Sequence, residues 1–378
     1  MRQIAVVLFF FITILSCNNS NTSTTSPGMK ASTDTSFQKL ADEYLSGYLA
    51  WRPLYAVALG FHEGYDGKTT DYSKASLDKE LSRLKSFDAR LASIDTAGLS
   101  SKDFFDFRIL QAAIKNDIFS FEGEHAYTHN PMTYATAVDV NTYVKRNFAP
   151  LEERIKYIIS TENALPSILA AAKANLEDSL PKPYIETAIN ITTGNASFLN
   201  GDLLTALKDV KNDTLMAAFK KANDTAIKVY NDYVQWLKKE KVPKANNHYA
   251  IGRENYKKML LYNEGITLDP EKILAIGLDE LKKEQDEFNA AAKIINPNKK
   301  PIDVYHDTQK EHPAADSLIP EAKKHLESIR QFLVDHKICT MPSEVRVQIK
   351  ETPQYARATS TASMDVAGPF ENKATEII

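Results

Sequence analysis

Two histidines four residues apart, His125 and His129 in "EGEHAYTHNP" (122–131), have the spacing by which a zinc-peptidase helix presents two ligands on one face. In that motif the residue after the first histidine is a glutamate that activates metal-bound water. Here it is Ala126, so the ligand spacing is present without the general base. Gly123 before the pair and Asn130-Pro131 after it are helix-ending residues. Glu122 and Glu124 lie close in sequence, but neighbouring residues do not share a helix face. The stretch therefore reads as two solvated histidines at a fraying helix end.

A second group holds His306, Asp307, Glu311 and His312, with Glu321, His325 and His336 beyond. Its adjacent pairs diverge on a helix; only Glu321 and His325 share a face, and the whole reads as a solvated surface. The chain has no Gly-x-Ser-x-Gly elbow, no phosphate-cradling glycine loop and no Cys-x-x-Cys pair. Its 378 residues carry a net charge of −3 and no sustained basic tract, which argues against a nucleic-acid partner. A hydrophobic fraction of 43% is enough for a sizeable core.

The N-terminus points to export. "MRQIAVVLFFFITILSC" joins a positive start at Arg2 to an apolar run over 4–15, too short to span a bilayer comfortably. "ILSC" resembles the bacterial lipobox, in which the cysteine, here Cys17, becomes the lipidated first residue. "NNSNTSTTSPG" then reads as a flexible tether. The chain divides into a signal peptide over 1–17, a tether over 18–35, a helical domain over 36–340 and a strand-containing segment from 341 to 378. The expected anchorage is the membrane of the bacterial cell envelope, through lipidated Cys17. Acylation of Cys17 leaves Cys339 without an intramolecular partner, and Cys339 reads as a partly buried small hydrophobe.

Helical periodicity fills the domain that must position any site. Leu77, Leu81, Leu84, Leu91 and Ile94 fall on one face, as do Phe104, Phe107, Leu110, Ile114, Ile118 and Phe121. Further helices are expected from Pro150 with a break before Pro166, over 213–240, from Asp269 to about Ile295, and from about Pro320. The fold class is mainly α, an array of antiparallel amphipathic helices. Near the C-terminus "SEVRVQIKET" (343–352) alternates Val345, Val347 and Ile349 with polar residues, the pattern of a half-buried strand. The polar segment after it suggests a chain that stops in mid-domain.

Several landmarks in order resemble a bacterial family catalogued as domain of unknown function 885. They are "WRPLYAVALGFHEGYDG" with "TDYS", "APLEERIKYIISTENALPSILAAAKANL", "IGRENYKKMLLYNEGITLDPEKILAIGLDEL" and "VQIKETPQYARATSTASMDVAGPFE". The resemblance implies a mostly helical protein related to zinc metallopeptidases. In that family the zinc helix, with a His-Glu-x-x-Pro-Gly-His pattern, lies downstream of the Gly-Pro-Phe region. No zinc ligand can be carried onto this sequence, so no cofactor is expected in this chain, with zinc implied for the full-length family.

The resemblance marks His62, Glu254, Tyr256 and Arg357 as substrate-facing candidates, with a peptide as the implied substrate. Gly60 is expected to allow a close turn before His62. Two functions stand side by side. One is the helical portion of a metallopeptidase-like lipoprotein, without catalysis of its own. The other is a lipid-tethered helical module that binds a peptide or protein partner. A metal-scavenging lipoprotein using the histidine clusters is a third.

Overall fold

The computed structural model describes residues 35–341, 343–352, 362, 364 and 366–371. Three groups of helices follow one another. The first holds α1 (Thr35–Trp51), α2 (Pro53–Leu59), α3 (Lys74–Ala92) and α4 (Ser101–Glu122). Two of these begin on serine caps. Ser73 accepts from the Ser76 N–H at 3.3 Å, and Ser100 accepts from the Asp103 N–H at 3.1 Å. The expected periodic faces then meet: Phe37, Leu40 and Tyr44 pack with Leu84, Phe87 and Leu91 and with Phe107, Leu110 and Ile114. Arg52 ties the group together, reaching Glu80 at 3.4 Å and Asp117 at 3.1 Å.

The second group holds the larger core. It comprises α5 (Met132–Ala135), α6 (Asn141–Lys145), α7 (Leu151–Asn175), α8 (Lys182–Asn200), α9 (Asp202–Leu207) and α10 (Asp213–Trp236). The break expected before Pro166 does not occur, and α7 passes through it unbroken. A proline inside a helix costs about 3 kcal/mol, because it removes one backbone bond and crowds the preceding turn. Burial of Ile158, Leu165, Ile168 and Leu169 around it contributes roughly 1.5–3 kcal/mol each, which exceeds that cost.

The third group comprises α11 (Arg253–Glu264), α12 (Pro270–Ile295), α13 (Pro301–Thr308) and α14 (Leu318–Asp335). The α11 helix leans on the end of α4, where the Asn255 amide donates to the Gly123 carbonyl at 3.4 Å. The α12 helix starts on Asp269, whose side chain accepts from the Glu271 N–H, and on Pro270, as its sequence predicts. It packs on α13 near its C-terminal end, where Ala292 and Val304 are buried. Much of its apolar stripe, Leu274, Leu278, Leu281 and Phe288, stays 41–60% exposed. On α14, Leu326, Ile329 and Phe332 are exposed in the same way.

Two expectations are corrected. Residues 343–352 form no strand, and the described residues contain no named strand at all, only a bridge between Pro181 and Asn246. A period of two specifies a strand only where a neighbouring strand completes the ladder. None is available among the described residues, and the segment is tied to α14 by charge instead: Arg346 meets Glu327 at 2.7 Å and Arg330 meets Glu344 at 3.1 Å. Cys339 is exposed rather than partly buried, because it follows the end of α14. No helix among the described residues is long and apolar enough to cross a membrane. Cys17 and Arg357 lie outside the described residues.

Candidate functional site

The "HAYTH" stretch behaves as a helix end. The α4 helix stops at Glu122 with Gly123 as its cap, and His125 takes a left-handed φ of 53°. His129 turns to Glu177, its Nδ1 3.0 Å from Oε2. In the second cluster three histidines are occupied locally, His306 by Gln309, His312 by the Pro313 carbonyl and His336 by the Phe332 carbonyl. Among the described residues no group of three or more His, Cys, Asp or Glu is placed to hold a metal ion. The described residues therefore do not fit the zinc that the resemblance implies.

His62 is placed differently. The α2 helix ends at Gly60, whose φ of 98° lets its N–H and that of Phe61 turn back to the Val57 and Ala56 carbonyls. The next turn is closed by the Asp66 N–H donating to the His62 carbonyl at 3.1 Å. That geometry brings Asp66 Oδ1 within 3.1 Å of His62 Nδ1. The ring lies flat on Phe148, centroids 3.6 Å apart. Its other nitrogen, Nε2, meets Glu371 Oε2 at 3.2 Å.

Residues 366–371 are held there by backbone as well as by charge. The Phe370 N–H donates to the Leu59 carbonyl at 2.9 Å, and the Phe370 ring stacks on Phe61 at 4.6 Å. Arg146 donates to the Ala58 carbonyl at 2.8 Å, to the Val366 carbonyl at 3.2 Å and to Glu371 Oε1 at 3.3 Å. Two glycines permit the approach. A Cβ on Gly60 would lie 2.6 Å from the Glu371 nitrogen, and one on Gly368 would lie 2.6 Å from the Gly60 nitrogen. Two of the family-like landmarks, one near each end of the described chain, thus meet at Gly60 and Gly368.

Electrostatics favour the charged imidazole. Burial pulls the His62 pKa down, but the hydrogen bonds and charges of Asp66 and Glu371 outweigh it and hold it above its ordinary value. An imidazolium donates both ring protons to these carboxylates and keeps no lone pair for a substrate or a metal. The carboxylates also sit on opposite nitrogens, so a metal on either nitrogen would meet only one of them.

Glu254 and Tyr256 lie elsewhere. Glu254 is exposed in the first turn of α11, where a negative charge suits the helix dipole. Tyr256 lines an open groove of about 610 Å³ with Tyr184, Tyr249, Arg253 and Glu124. None of the His62 partners lines this groove. Sequence reasoning passed over Asp66, Arg146 and Glu371. Asp66 carries a signal, its four-residue separation from His62; the partnership of Arg146 and Glu371 carries none, because it is purely tertiary.

The sequence model of DUF885, described as a bacterial protein of unknown function, matches residues 53–377. The chain belongs to the DUF885 family. The match spans all the helices from α2 to α14 and both sides of the His62–Glu371 contact. A solved structure, of a candidate lipoprotein of unknown function from Shewanella oneidensis, shares the fold at a TM-score of 0.66 and 20% identity. The likeness covers 90% of this chain and 63% of that one, so this DUF885 chain spans under two thirds of that neighbour's length. The comparison with curated proteins returns no match.

Proposed function

We propose that this chain is the helical scaffold of a lipid-anchored cell-envelope protein related to zinc metallopeptidases, and that it does not cut peptides by itself. The observation that carries this reading is the uncovered apolar stripe of α12 and α14. A surface helix of this amphipathicity ordinarily lays its apolar stripe on a core, and large exposed apolar patches mark surfaces that take a partner. In this reading a further surface covers α12 and α14 and brings the metal chemistry. The lipobox-like "ILSC" at Cys17 and the candidate-lipoprotein description of the Shewanella neighbour support the anchor.

A second reading is a lipid-tethered module that binds an extended peptide or a protein partner. The groove at Tyr184, Tyr249 and Tyr256 favours it, because aromatic side chains give contact area at low entropic cost. In either reading Tyr256 is the proposed peptide-facing residue.

The test is incubation of the full chain with zinc and a mixture of unstructured peptides, with cleavage followed by mass spectrometry. The scaffold reading expects intact peptides. Cleavage that a chelator stops and zinc restores would overturn it.

A further inference from the structure

Away from both sites, α7, α8, α10, the end of α5 and the loop over 136–140 line a cavity of about 260 Å³. Glu162 of α7 lines it and is only 1% exposed. Neither of its carboxyl oxygens has a hydrogen-bond partner. Buried polar groups are almost always paired, and leaving one unpaired is costly, more so when it is charged. An acid kept at such a position, facing an open space, has the arrangement of a ligand contact.

The walls say what kind of ligand. Most are apolar, with Leu165, Ile191, Phe198 and Ala226 among them. Asn195 of α8 is already engaged, its amide donating to the Ala135 carbonyl at 2.8 Å. No Lys, Arg or His lines the cavity. The titratable groups that join Glu162 there are Tyr230 from α10 and Asp139 from the loop before α6; α8 contributes none. Asp139 and Thr136 are exposed and mark the mouth of the cavity. A buried, unpaired carboxyl with no cation among the lining residues favours a ligand that brings the positive charge itself.

We propose that this cavity binds a small primary amine with an apolar body, its ammonium group donating to the Glu162 carboxylate. The size fits: an apolar cavity of about 150 Å³ holds benzene, so this one takes a ring with a short ammonium arm. Burial pushes the empty carboxyl up to about 8. At pH 7 it is therefore mostly protonated, and an arriving ammonium displaces that proton. This inference does not rest on the scaffold reading, since none of its residues belongs to the His62 clasp or the Tyr256 groove.

The experiment is titration calorimetry of the full chain with 2-phenylethylamine at pH 7, in two buffers of different ionisation enthalpy. The expected result is one site, with close to one proton released per amine bound. Glu162→Gln should bind roughly ten- to hundredfold more weakly and release none. Propylbenzene, of similar shape without charge, should bind the unaltered chain more weakly than the amine. This arm and the proton release hold the test open if the variant does not fold. No amine binding, binding without proton release, equal affinity for propylbenzene, or a folded Glu162→Gln that binds undiminished would each overturn the proposal.

Discussion

His62 and Glu371 meet at 3.2 Å across 309 positions of sequence, and Arg146 reaches the other oxygen of the same carboxylate at 3.3 Å. Glu371 is thus held between two cationic side chains, with its own side chain only 4% exposed. Replacing Glu371 with Gln takes away the counter-charge shared by Arg146 and His62 and leaves His62 with Asp66 alone. We expect Glu371→Gln to destabilise the chain by roughly 1–3 kcal/mol. Denaturant midpoints should report the loss, with hydrogen exchange rising at 366–371 and at 58–66 together. Unchanged exchange at both segments would contradict the clasp.

The two glycines of the His62 turn separate backbone strain from close approach. Gly60 and Gly64 both have positive φ, 98° and 81°. A Cβ at Gly64 meets nothing, whereas one at Gly60 meets the Glu371 backbone. Gly64→Ala should cost only the left-handed penalty of roughly 1–2 kcal/mol. Gly60→Ala should cost clearly more, because it also displaces residues 366–371. Equal losses in thermal unfolding would mean that the segment does not dock there.

The clasp should weaken with rising pH. The folded pKa of His62 lies above its ordinary value of 6.5. Its contribution is complete below that value and is lost as pH rises through the folded pKa. An NMR titration should find His62 losing its proton above pH 6.5. In His62→Gln the matching loss of stability above pH 6.5 should disappear.

Glu162 has the same sign in a different window. The folded chain holds its proton to about pH 8, the unfolded chain only to about 4.5. Between these values the folded state binds more protons, so stability falls as pH rises, by roughly 5 kcal/mol at most. Glu162→Leu should flatten this slope and raise stability at pH 8. A slope unchanged in that variant would place the titration on another group.

The helices were legible because their periodicity is local. The faces at Leu84, Leu91, Phe107, Leu110 and Ile114 went into the core as their spacing requires. Pro166 misled, since a single local rule was outweighed by apolar burial on both sides of it. Residues 343–352 misled for the opposite reason: their pattern is local, but a strand exists only with a partner. Glu162 carried a signal that went unused. It falls on the buried face marked by Ile155, Ile158, Leu165 and Leu169, where an acid is out of place. Of the candidate residues, His62 and Tyr256 could be named by their landmarks. The two carboxylates that engage His62 depend on a fold that no local pattern records.

The exposed apolar faces of α12 and α14 can be read by amide hydrogen exchange across the full chain. Short of tertiary packing, a helix is only marginally stable in water, and its amides open with low free energy. If the apolar faces of these two helices are uncovered, amides of α12 before Ala292 and throughout α14 should exchange far faster than those in the middle of α7 and α10. Binding of a covering partner should then slow them. Protection of α12 and α14 equal to that of α7 in the isolated chain would mean that these helices need no covering partner.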